Sequence, residues 1–117
     1  MVRFGIVGTN WITEKLINAG EMLENFKLNA VYSRSEEKAA EFAAKYKVEN
    51  IFTDLKEMAE SGTIDAVYIA SPNSLHYEQS KLFLTHKIAV LCEKPLASNA
   101  FEVTDLIKTS KQYETLI

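Results

Sequence analysis

The residues with most chemistry to offer are Gly8, the pair Ser33 and Arg34, the group Ser71, Pro72 and Asn73 with His76, and the run Glu93, Lys94 and Pro95. Each stands just after an apolar run. Gly5-Ile-Val-Gly8 leads into Thr9, Asn10, Trp11, Ile12 and Thr13. Holding a dinucleotide takes a tight turn, close backbone approach to the pyrophosphate, and a helix whose exposed N–H groups face the phosphates. Glycines usually meet these needs, but Asn10 and Thr13 occupy the second and third glycine positions here. Asn tolerates left-handed geometry better than most side chains, whereas Thr13 implies a wider helix-to-strand approach. The segment therefore reads either as a phosphate cradle or as an ordinary strand-to-helix turn.

About 20 residues past such a turn, a dinucleotide fold places the residue that reads the adenosine ribose. Tyr32, Ser33 and Arg34 fall there. A carboxylate would accept from a ribose 2′-hydroxyl and favour NAD, whereas Ser33 and Arg34 offer donors suited to a 2′-phosphate. That favours NADP, with NAD as the alternative and a solvated loop charge as the plain reading of Arg34. Lys94 follows an apolar strand, beside Glu93, and Pro95 biases it to extended backbone. At a strand's carboxyl end a lysine can polarise or protonate an oxygen, although Lys-Pro turns also occur with no such role. His76 opens a helix after Ser71-Pro-Asn73, where a lone histidine more often serves as a hydrogen-bonding residue than as a catalyst. His86, beside Lys87, suits a helix C-terminus. Neither histidine has metal-ligand spacing, so no metal site is expected. Trp11 either shields the pyrophosphate or packs its helix on the sheet.

These groups need a scaffold that brings strand ends together, and the pattern supplies one. Short apolar runs at Val2–Val7, Leu28–Ser33, Asn50–Thr53, Asp65–Ala70 and Ile88–Cys92 read as strands. Helical spacing recurs between them, from Trp11 to about Leu23, from Ser35 through Tyr46, around Leu55, Met58 and Ala59, and through Leu75, Gln79, Leu82 and Phe83. Ser35 and Asp54 sit where N-caps belong, and Ser98 or Asn99 caps a last helix through Val103, Leu106 and Ile107. Thr115–Ile117 reads as the start of a sixth strand. Alternating strands and helices with short connections predict an α/β fold, a doubly wound parallel sheet of order 3-2-1-4-5-6.

With 117 residues and 47% hydrophobic content, one core and one domain are expected. The formal charge of −3, from 13 basic and 16 acidic residues without a long like-charge block, argues against a nucleic-acid partner. A single cysteine, Cys92, cannot form an internal disulfide, and no apolar stretch reaches the roughly 20 residues that span a bilayer. A cytoplasmic protein without a membrane partner is expected.

Gly5-Ile-Val-Gly8, Ala30-Val-Tyr-Ser-Arg34, the Asp65 to Asn73 run with His76, and Cys92-Glu-Lys-Pro-Leu-Ala97 occur in an order and at spacings that resemble the Gfo/Idh/MocA family of glucose–fructose oxidoreductase and inositol dehydrogenase. The resemblance spans essentially the whole chain. It implies that residues 1–117 form the N-terminal NAD(P)-binding Rossmann domain of a two-domain enzyme, a fragment lacking the C-terminal substrate domain and inactive alone. It also implies hydride transfer between NAD(P) and a sugar, polyol or related compound. Gly8, Thr9, Asn10, Trp11 and Ile12 would cradle the pyrophosphate, and Ser33 and Arg34 would read the ribose. Ser71, Pro72, Asn73 and His76 would line the crevice, Glu93 and Lys94 would meet the nicotinamide ribose and substrate, and Pro95 would fix their loop. Lys94 would be catalytic. Partners would be a small sugar or polyol held through the other domain, with self-association of the full-length form left open. A stand-alone nucleotide-binding or regulatory module, or a sugar-nucleotide or adenylate binder, is the alternative. The retained Lys94 argues against both.

Overall fold

The computed structural model describes residues 2–8, 11–20, 25–93 and 99–117. Five strands, β1 (Val2–Val7), β2 (Phe26–Tyr32), β3 (Asn50–Phe52), β4 (Ala66–Ile69) and β5 (Ala89–Cys92), alternate with α1 (Trp11–Gly20), α2 (Glu36–Tyr46), α3 (Leu55–Glu60), α4 (His76–Thr85) and α5 (Ala100–Gln112). A short 3₁₀ turn, Asn73–Leu75, precedes α4. All pairings are parallel, and the sheet order is β3-β2-β1-β4-β5. This is the α/β arrangement the sequence predicts, with β1 central and the chain crossing over to β4 on its other side.

Two hydrophobic layers sandwich the sheet because successive strand residues point to opposite faces. Ile6, Val31 and Tyr68 pack with Ile17 of α1 and Ala39, Phe42 and Ala43 of α2. Val7, Ala30, Val67, Ile69 and Val90 pack on the other face with Met58 of α3, Phe83 and Leu84 of α4, and Leu106 of α5. Each large aliphatic or aromatic side chain removed from water contributes about 1.5–3 kcal/mol. All four residues of β4 are buried, as befits a strand covered on both faces.

The helix starts follow their caps. Ser35 Oγ accepts from Lys38 N, Asp54 Oδ1 accepts from Lys56 N at 2.8 Å and Glu57 N at 3.3 Å, and Asn99 Oδ1 accepts from Glu102 N at 2.9 Å. Asn99, of the two candidates, therefore starts α5. The second strand begins two residues earlier than its sequence suggests, because Phe26 pairs with Val2 and its ring lies 5.1 Å from that of Phe4. The first helix is described to Gly20, and Leu23 lies outside the described residues.

The expected sixth strand at Thr115–Ile117 is a correction. Among the described residues the sheet has five strands. Val90 N donates to Leu116 O at 2.9 Å, so the tail runs beside β5, but one such bond is not a ladder. Thr115 is still tied to the end of α5, its N donating to Ser110 O at 2.9 Å, after Glu114 turns at a φ of 51°.

The opposite end of the β1–β4 pair is fastened by charge. Arg3 donates through Nε and Nη2 to the two oxygens of Asp65, at 3.1 and 2.9 Å, and its backbone N adds a third bond to that carboxylate at 2.9 Å. These bonds hold the Asp65 carboxyl down to about 2, below its usual range. A carboxylate with a depressed folded pKa stabilises the native state above its unfolded value, and that contribution disappears as pH falls through the folded value. Asp65→Asn should therefore lower the unfolding midpoint at neutral pH, and the gap from wild type should close between about pH 4 and about pH 2. Thermal unfolding across that range, at low and high salt, checks it.

Candidate functional site

The carboxyl ends of β1, β2 and β4 meet where the chain's connections diverge to opposite faces of the sheet. Open α/β sheets leave a crevice at such a point. Here it is a cleft of about 530 Å³. Gly8 forms its base at a φ of 105°, in the region that side-chain-bearing residues avoid. Gly8 N donates to Tyr32 O at 3.4 Å, and Ala70 N donates to Val7 O at 2.9 Å, which draws the tips of β1 and β4 together. A Cβ on residue 8 would lie only 2.9 Å from Ala70 O. The glycine thus answers two demands, the turn and the close strand approach, and leaves backbone exposed to a ligand.

One end of the cleft is cationic. Ser33, Arg34, Ser35 and Lys38 line it beside Tyr32. Ser33 is set by its N donating to Phe52 O at 3.2 Å, and its Oγ accepts from Ser35 N at 3.3 Å. Capping by Ser35 places Lys38 in the first turn of α2, four residues after Arg34, so both cations serve the same end of the cleft. Glu36 and Glu37 stand exposed in that turn and are not among the lining residues.

The other wall is the segment after β4. Ala70, Ser71, Pro72, Leu75 and Gln79 line it. Ser71 Oγ donates to Gln79 Oε1, and Ser71 O pairs with His76 Nε2 at 2.7 Å. The His76 ring is 1% exposed and holds this segment through its carbonyl; it is not among the lining residues. Its burial in the first turn of α4 accounts for that position.

Five of the sequence-selected residues, Gly8, Ser33, Arg34, Ser71 and Pro72, therefore share one cleft. Trp11 and Ile12 lie in the first turn of α1 and Asn73 in the 3₁₀ turn. Thr9, Asn10, Lys94 and Pro95 fall outside the described residues. Tyr32, Ser35, Lys38, Leu75 and Gln79 were not selected from sequence. Of these, Lys38 had a signal: a basic residue in the first turn of the helix that Ser35 starts, one turn beyond Arg34.

Glu93 extends the β4–β5 ladder by one bond, its N donating to Ile69 O at 3.0 Å, and its carboxylate accepts from the Tyr68 hydroxyl. Burial, and then the hydrogen bond to Glu93, push the Tyr68 phenol well above its usual range. Burial also raises the neighbouring Cys92 thiol above its usual range. Among the described residues there is no group of three or more His, Cys, Asp or Glu side chains that could hold a metal ion. No helix among them is long and apolar enough to cross a membrane.

A bare glycine base, a following helix start, apolar walls at Val7, Ala70, Pro72 and Leu75, and two cations at the far end suit an elongated anionic ligand with a flat apolar part. Fold and cleft together define a dinucleotide-binding α/β domain. The chain belongs to the Gfo/Idh/MocA family: that family's profile, described as an oxidoreductase family with an NAD-binding Rossmann fold, matches residues 2–117. The chain is 55% identical, over 95% of its length, to 34% of scyllo-inositol 2-dehydrogenase (NADP(+)) IolU from Bacillus subtilis (strain 168). It is 54% identical, over its whole length, to 36% of the uncharacterized oxidoreductase YgjR of Escherichia coli (strain K12). It thus spans about a third of the length of these curated relatives. A 3-ketoreductase from Actinomadura kijaniata, in complex with TDP-benzene and NADP, superposes with a TM-score of 0.92 at 26% identity, covering 99% of this chain and 37% of that one. Scyllo-inositol dehydrogenase from Lactobacillus casei, with bound NAD(H) and scyllo-inositol, superposes at 0.88 and 26% identity, covering 99% and 34%.

Gly8→Ala should destabilise the domain by roughly 1–3 kcal/mol, since it forces a Cβ into positive φ and against Ala70 O. Chemical denaturation checks it, and an unchanged midpoint would show that the β1–β4 tips can separate at little cost.

Proposed function

We propose that this chain is the cofactor-binding part of an oxidoreductase that transfers hydride between NADP(H) and a sugar, polyol or related compound. The observation that carries this reading is the cleft at the β1–β4 crossover, whose ribose-reading end holds Ser33, Arg34 and Lys38, with no carboxylate among the described residues that line it. Gly8 to Ile12 would meet the pyrophosphate through backbone N–H groups, and Arg34 with Lys38 would neutralise a 2′-phosphate while Ser33 donates to it. Ser71 and Pro72 would wall the crevice, and Asn73 would sit at its rim. His76 would set that wall through Ser71. Glu93, just past β5, and Lys94 would meet the nicotinamide ribose and the substrate, with Pro95 fixing the loop. When bound, the nicotinamide supplies or accepts the hydride at its C4. Lys94 would orient the reacting oxygen and hold a proton on or near it.

The substrate partner would be gripped by a further domain of the full-length protein, so these 117 residues would bind cofactor without turning over a polyol. The Bacillus subtilis relative is named as an NADP(+) enzyme, which supports the cofactor reading, whereas the Lactobacillus casei enzyme binds NAD(H) on the same fold. A cytoplasmic setting agrees with a lone, half-buried, unpaired Cys92.

NADP+ is expected to bind at least tenfold more tightly than NAD+, because charge-assisted contacts contribute about 1.5–3 kcal/mol each. Arg34→Ala and Lys38→Ala should each remove much of that preference while leaving NAD+ affinity nearly unchanged. Calorimetric titration of both cofactors reads it directly; equal affinities in the wild type would refute the NADP assignment.

Lys94→Ala in the full-length protein should lower kcat by about 10²–10³ with a much smaller effect on cofactor binding. Lys94→Arg should not restore the rate, since a planar guanidinium neither occupies the ammonium's position nor gives up its proton. Steady-state kinetics beside cofactor titration separates the two effects. Unchanged kcat in the alanine variant would make Lys94 a strand-end residue without a role in turnover.

A further inference from the structure

Tyr68 is 3% exposed, in the layer with Ile6, Ile17 and Val31, where a phenylalanine would fill the same space. Its hydroxyl is a polar atom carried into an apolar layer, and such an atom is costly unless it finds a partner. The partner is Glu93. The parallel register pairs Tyr68 with Leu91 and Ile69 with Cys92, which carries Glu93 past the end of β5 on the same face of the sheet as Tyr68. Two consecutive residues of β4 therefore hold Glu93: Tyr68 through its side chain and Ile69 through its carbonyl, the latter at 3.0 Å. A ring fixed by packing on all sides cannot follow a wandering carboxylate, so the carboxylate is held to the ring.

The geometry points to Tyr68 as a positioning residue that fixes the Glu93 carboxylate for the nicotinamide end of a bound dinucleotide. The inference rests on the placement of Glu93 at the nicotinamide ribose given above. Tyr68 is not among the residues that line the cleft; it acts by limiting the orientations open to Glu93. The adenosine end, read by Ser33 and Arg34 after β2, lies three strand spacings away, roughly 14 Å. An effect that travels through Glu93 should therefore be confined to ligands that reach β5.

The test is a double-mutant cycle on the full-length protein, read by calorimetric titration with two probes: NADP+, which spans both ends, and adenosine 2′,5′-bisphosphate, which fills the adenosine end alone. Tyr68→Phe keeps the ring and should weaken NADP+ about three- to tenfold while leaving the bisphosphate within about twofold. In a Glu93→Ala background the same substitution should have no effect on NADP+. Equal weakening of both probes would make Tyr68 a general packing residue, and a full effect without Glu93 would give it a separate role. No effect in either background would remove it from the site. Each of these overturns the proposal. If Glu93→Ala alone leaves NADP+ affinity unchanged, the placement of Glu93 at the nicotinamide ribose fails as well, a result readable apart from the Tyr68 arms. Thermal unfolding of all four proteins identifies any variant whose binding change follows from lost stability.

Discussion

Everything at the carboxyl edge of this sheet depends on how closely the tips of β1 and β4 approach. The Ala70 N to Val7 O bond at 2.9 Å draws them together, and the missing side chain at residue 8 is what permits it. Were the strands held apart, the segment after β4 would no longer face the end of β2, and the cleft between Ser33 and Pro72 would open. At the other end of the same strand pair, the Arg3–Asp65 fork fixes the register. One pair of strands is thus fastened by charge where it faces solvent and by backbone contact where it forms a site.

The alternation of apolar strands with capped amphipathic helices was legible because each signal is local. Ser35 and Asp54 announce their helices within three residues of themselves, and Ala66 to Ile69 is apolar on both faces. Arg34 was legible for the same reason, since it directly follows an apolar strand. Lys38 was legible only in combination: its own residue type reads as one more charge on α2, but the cap at Ser35 and its place one turn beyond Arg34 bring it to the cleft. The last three residues misled in the opposite direction. Thr115, Leu116 and Ile117 have strand composition, but tertiary connection decides pairing, and the end of α5 still holds Thr115.

Tyr68 and Glu93 show a second limit. They are 25 residues apart, and nothing in either segment indicates that one will bond the other. Their meeting follows from the β4–β5 register, a non-local quantity. His76 is the converse case, a residue that stands out in sequence because histidine is chemically versatile. Its ring is enclosed in the first turn of α4 and serves the backbone of Ser71. Chemical capability identified it, and burial assigned its part.

The two bonds from α4 to Ser71, one to its carbonyl and one from its hydroxyl, have a thermodynamic reach beyond the wall they form. A loop left free after β4 would have to be ordered each time a ligand arrived, and that entropy loss would be subtracted from affinity. With Ser71 fastened to a helix whose Phe83 and Leu84 are fully buried, the ordering is complete when the chain folds. The cleft is preorganised on that side, so binding there draws on contacts alone and not on a fresh loss of chain freedom.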